Sequence, residues 1–162
     1  MKKLLSLLLI CCIAVADDNE IYVDQVGATA NIDLEQLGSG NIIGGLSSAH
    51  GSMTVFDLDG TTMTLDVNQI GNNNKMLGDI NSDTFTGLFD FDGDTNSYTI
   101  QVDPTNAYSA DNANVNVNVD GNTNTMTLDL ATSSLASGSD VDTIVQGNTN
   151  TVHIDLDVDS AT

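Results

Sequence analysis

The segments Gly121-Asn-Thr-Asn-Thr-Met-Thr-Leu-Asp-Leu130 and Gly147-Asn-Thr-Asn-Thr-Val-His-Ile-Asp-Leu156 are nearly the same ten residues, 26 positions apart. In each, a glycine-asparagine turn opens a run whose alternate residues are apolar: Met126, Leu128 and Leu130, then Val152, Ile154 and Leu156. Alternation with a period of two marks a half-buried strand. The alternation also runs upstream of the turn, through Val117 and Val119 before Gly121 and through Thr143 and Val145 before Gly147. The unit is therefore strand, turn, strand.

Working outward, seven glycines share these surroundings: Gly27, Gly38, Gly60, Gly71, Gly93, Gly121 and Gly147, spaced 11, 22, 11, 22, 28 and 26 residues apart. Two residues before them stand Gln25, Gln36, Leu58, Gln69, Phe91, Val119 and Val145. Three residues after them stand Asn41, Asn74, Asn96, Asn124 and Asn150, with Asn31 four after Gly27. Gly and Asn tolerate the positive φ that an abrupt turn asks for. Gly60 fits the pattern with a turn two residues shorter. A step near 22 with a half-step of 11 is the signature of a repeat architecture.

One such unit cannot bury its apolar face, and stacking copies cures this. The expected fold is an all-β solenoid of stacked strand-turn-strand repeats, about 22 residues per rung and about six rungs. Val, Leu, Ile, Met, Phe and Gln form its inward rows, and Asp, Thr, Asn and His153 its outward rows. Two segments read as insertions, residues 103–113 around Pro104 and the Ser-rich 133–140.

Residues 1–16 read as a secretory signal peptide: Lys2 and Lys3, an apolar run from Leu4 to Ile13, then Ala14-Val15-Ala16. The repeat domain is then 17–162. Cleavage after Ala16 removes Cys11 and Cys12, so no disulfide staples the mature chain. It also leaves Lys75 as the one base against 23 acids, a net charge of −22 with both histidines neutral. That charge excludes nucleic acid as a partner, and no second apolar run supplies a stable membrane anchor.

Catalysis is not expected. The two histidines, His50 and His153, belong to no nucleophile-base-acid arrangement. No cofactor is implied beyond weak calcium. The oxygen-rich stretch Asp90-Phe-Asp-Gly-Asp-Thr-Asn96 offers Asp90, Asp92, Asp94 and Asn96 at alternate positions, but not in the order of an EF-hand loop. Asp59, Asp92 and Asp120 each precede a repeat glycine, and stacked like charges there would act as gatekeepers against premature association.

The stretch Val23 to Asn41 resembles a curlin repeat, whose pattern is Gln-x-Gly-x-x-Asn-x5-Gln. Gln36, Gly38 and Asn41 match it, as do Gln69, Gly71 and Asn74, and Gln25 and Gly27 match with Asn31 one residue late. The fit covers residues 20 to 80; beyond, Phe91, Val119 and Val145 replace the glutamine. The resemblance implies a secreted bacterial subunit of extracellular amyloid-like fibres, for biofilm matrix and adhesion. The chain itself, other curli subunits and an outer-membrane secretion apparatus would be its partners. In such a fibre Gln25, Gln36 and Gln69, with Asn31, Asn41, Asn74, Asn96, Asn124 and Asn150, would hydrogen-bond along the axis. The alternative is a monomeric solenoid that binds ice, a glycan or a calcium-dependent surface through Thr and Asp rows, its Thr plane disturbed by the two insertions.

Overall fold

The computed structural model describes residues 19–44, 55–71, 73–102, 111–130 and 138–156. The expected signal segment, His50, Pro104 and most of both expected insertions lie outside these residues. The described chain forms eleven strands and no helix: β1 (Glu20–Tyr22), β2 (Asp24–Val26), β3 (Thr29–Gly38), β4 (Ile42–Gly44), β5 (Phe56–Gly71), β6 (Lys75–Asp92), β7 (Thr95–Val102), β8 (Asn114–Asp120), β9 (Thr123–Leu130), β10 (Asp140–Gln146) and β11 (Thr149–Leu156).

Every pairing between them is parallel. Parallel neighbours separated by a full circuit of chain make a β-solenoid. One face stacks β1, β4, the first part of β6, β7, β9 and β11. The other stacks β3, β5, the second part of β6, β8 and β10, five levels with four steps between them. The solenoid makes about four turns.

The six rungs expected become about four turns, because three of the steps are longer than 22 residues. Phe56 faces Gly78 at a step of 22, but Thr29 faces Thr62 at 33, Thr86 faces Asn114 at 28 and Asn114 faces Asp140 at 26. In the coil with the 33-residue step, the additional residues fall between Gly44 and Phe56, an insertion that the glycine spacing conceals. In the two later coils they fall between β7 and β8 and between β9 and β10.

The alternation becomes columns. Leu34, Val67, Phe89, Val117 and Thr143 stack on one another, and so do Ile43, Met76, Tyr98, Met126 and Val152. Apolar members of these columns between the end coils are almost fully buried. One part of the core is aromatic. Phe85, Phe89 and Phe91 line β6, and Phe91 stacks face to face on Tyr98 with centroids 3.7 Å apart. Gly87 makes room for them, because a Cβ there would meet the rings of both Phe85 and Phe89. The Tyr98 phenol has no hydrogen-bond partner; burial pushes its pKa well up, Asn74 beside it offsets part of this and Asp92 adds to it.

Candidate functional site: polar columns and an open end

The seven glycines do not form one series. Gly38, Gly71, Gly93, Gly121 and Gly147 stack at one corner of the solenoid, whereas Gly27, Gly60 and Ser82 stack at another. The 11-residue spacing from Gly27 to Gly38 is the walk across one face within a single coil. Nor does positive φ explain them all: it is found at Gly38 and Gly147, not at Gly71, Gly93 or Gly121. A Cβ on Gly71, Gly93, Gly121 or Gly147 would overlap the carbonyl oxygen of the glycine one coil earlier. These positions exclude a side chain because the backbones of successive coils pass too close for one.

Just inside this corner runs a column of asparagines. Asn41, Asn74, Asn96 and Asn124 are all at most 1% exposed. The outward placement expected for the turn asparagines is therefore wrong for these four. The corner turns their side chains into the interior, where they hold backbone carbonyls. Asn96 Nδ2 donates to Asn124 Oδ1 at 2.6 Å and to the Gly93 carbonyl at 3.0 Å. Asn124 Nδ2 repeats the arrangement with Asn150 Oδ1 at 2.9 Å and the Gly121 carbonyl at 3.2 Å. Asn74 instead gives its amide to the carbonyls of Asp92 at 2.6 Å and Gln69 at 3.1 Å. Asn41 does the same to Gln36 O at 3.4 Å. The amide-to-amide ladder therefore starts at Asn96 and runs to Asn150 at the end of the stack.

The glutamines behave differently. Gln69 Nε2 donates to Gln36 Oε1 at 2.6 Å in the interior, a two-step ladder that Phe91, Val119 and Val145 then continue as an apolar column. Gln25 is not part of it. Its register partner is Leu58, and its amide donates to the neighbouring Val26 carbonyl at 3.3 Å. Asn31 stands outward beside Thr64. Both follow from Gly27 belonging to the other corner.

Of the three aspartates expected to act as gatekeepers, Asp92 and Asp120 stack on one another, while Asp59 lies at the Gly27 corner and accepts from Asn81 Nδ2 at 2.9 Å. Longer acidic columns escaped the glycine-based reading. Asp24, Asp57 and Asp79 occupy three successive levels of one outward column, which Gln101, Asp129 and Asp155 complete. Partial burial, then Asp59 and Asp24, raise the Asp57 pKa above its ordinary value. The spacings of 33 and 22 residues were the available signal, legible only once the long coil is recognised.

The four oxygens proposed for calcium are not brought together. Asp90 points out and accepts from Asn118 Nδ2 at 3.0 Å, and Asp94 accepts from Asn122 at 3.3 Å, but Asn96 points into the core. Among the described residues, no group of three or more His, Cys, Asp or Glu side chains is placed to hold a metal ion. His153 stands exposed on β11, in the column of Thr99 and Thr127.

At the last level the interior is uncovered. Val152, Ile154 and Leu156 of β11 are 43%, 40% and 40% exposed, although their column partners Met126, Leu128 and Leu130 are buried. Among the described strands β11 pairs only β9, and β10 pairs only β8. At the first level Ile21, Val23, Ile32 and Leu34 are only partly buried. No protein-family model, characterised protein or solved structure matches this chain. The functional reading rests on the columns and the two ends.

Proposed function

We propose that this chain is a structural subunit of a secreted, curli-type fibre, built by adding one solenoid to the end of another. The exposed apolar row on β11 carries this reading. An edge strand with an uncovered hydrophobic row is a template for a further strand. The columns also make the two ends alike in kind. Ile21 heads the column that closes with Val152, and Val23 heads the one that closes with Ile154. A second copy added in the same register would set apolar on apolar and extend the backbone ladder. Asn150, the exposed last member of the asparagine ladder, would gain a partner there. The acidic columns oppose this approach, so assembly responds to salt.

The experiment is a time course on mature chain, residues 17–162, at micromolar concentration, followed by thioflavin fluorescence, electron microscopy and fibre diffraction. Fibres with spacings of about 4.7 and about 10 Å, after a lag shortened by salt and by seeds, support the proposal. A β-rich monomer that persists for days with seeds present refutes it.

A further inference from the structure

We infer that the outward surface of β7, β9 and β11 is a second, independent binding site, and that its ligand is a lattice of ordered water: the surface of an ice crystal. The register stacks Thr95, Thr123 and Thr149 in one column and Ser97, Thr125 and Thr151 in the next, all exposed. Thr99 and Thr127 continue a third column from Leu77 to His153. Levels of a sheet stand about 4.8 Å apart and alternate residues of a strand about 6.6 Å apart. The hydroxyls thus form a two-dimensional array whose periods the backbone sets.

The insertions were expected to break this array. The register is unbroken, because the chain's additional residues fall between β7 and β8 and between β9 and β10, after each strand of the array has ended. The register passes from β7 to β9 to β11 without a slip over eight consecutive residues at each step.

Three features select the ligand. The Thr95 and Ser97 columns are uncharged from β7 to β11, with Lys75 one coil before Ser97 and the Gln101, Asp129 and Asp155 column at the far edge of the same face. Threonine is β-branched and stiff at χ1, so its hydroxyl and methyl are held in place before anything binds. Each hydroxyl both donates and accepts, as a lattice water does. A periodic array in two directions offers little to a soluble ligand or a flexible chain and matches a ligand periodic in both. A crystalline polysaccharide is also periodic. Sugar faces, however, are gripped by exposed aromatic rings, and the aromatic side chain within this segment of β7, Tyr98, is buried.

The test uses freshly purified, unassembled mature chain. Wild type is measured for inhibition of ice recrystallisation and for partition into a growing ice front, alongside Thr125→Lys at the centre of the array and Thr64→Lys on the other face. Circular dichroism checks that each variant is folded, and Thr125→Ser serves as a second, milder variant. The expected result is activity in wild type and Thr64→Lys, loss in Thr125→Lys and reduction in Thr125→Ser. Wild type without effect on ice, or full activity in folded Thr125→Lys, overturns the inference. So does wild type that leaves ice unaffected yet binds cellulose or chitin, or whose lateral bundling alone is abolished by Thr125→Lys.

Discussion

Replacing Asn96 by alanine tests whether the buried asparagine column holds the coils together. Asn96 Nδ2 lies 2.6 Å from Asn124 Oδ1, 3.0 Å from Gly93 O and 3.4 Å from Asp120 O. Alanine removes the donor to all three. Gly93 N still donates to Asp120 O at 3.0 Å, so that carbonyl keeps a partner. Asn124 Oδ1 does not, and Asn124 is 1% exposed, so water does not replace the lost bond. A stranded buried acceptor costs about 1–3 kcal/mol, and that is the expected destabilisation, partly offset because alanine also removes the buried, unpartnered Asn96 Oδ1. Asn150→Ala is the control. Asn150 has the same position one coil later but is exposed, so its loss should cost at most about 1 kcal/mol. Urea unfolding of freshly prepared soluble chain reads both, as a midpoint shift at constant slope. A shift for Asn96→Ala no larger than that for Asn150→Ala would sink the argument, because the column would then be shaping turns without joining coils.

Gly121→Ala should prevent the native stack from forming, read as lost β-sheet signal, because its Cβ overlaps Gly93 O, whereas Gly27→Ala meets only Gln25 Nε2 at 3.3 Å and should change stability little. Asp57→Asn should stabilise the chain at neutral pH, measured by thermal unfolding. The raised Asp57 pKa means that its contribution is complete below its ordinary value of 3.8 and is lost as pH rises through the higher folded value. The wild type should therefore gain stability on acidification from neutral pH, and Asp57→Asn should gain less. Tyr98 acts in alkali: the unfolded chain releases this proton near pH 10 while the folded chain keeps it, so stability falls as pH rises beyond about 10. Tyr98→Phe should remove that part of the alkaline loss, and since the phenol has no hydrogen-bond partner it should cost little at neutral pH.

The fold class was legible because a period of two and a glycine-asparagine turn recurring every coil leave few alternatives to stacked parallel strands. The inward apolar columns were legible for the same reason: Leu34, Val67, Phe89 and Val117 hold one offset from their glycines, and the register keeps it. The grouping of the glycines was not. Gly27 and Gly38 have similar neighbours in the chain but lie at different corners, and local sequence carries no label for a corner. That one ambiguity grouped Gln25 with Gln36 and Asn31 with Asn41, although Gln25 lies in register with Leu58 and Asn31 with Thr64.

By itself, then, the sequence determined the period, the alternation of apolar and polar residues and the acidity, all of which are properties of residues and their near neighbours. The tertiary structure decided which residues meet. An insertion of any length can be absorbed between strands without changing the local pattern, so the 33-, 28- and 26-residue steps are fixed only when inward columns and backbone hydrogen bonds are satisfied together. Those steps align Asp24 with Asp57, close the asparagines into an interior ladder and bring the threonines of β7, β9 and β11 into one plane of columns.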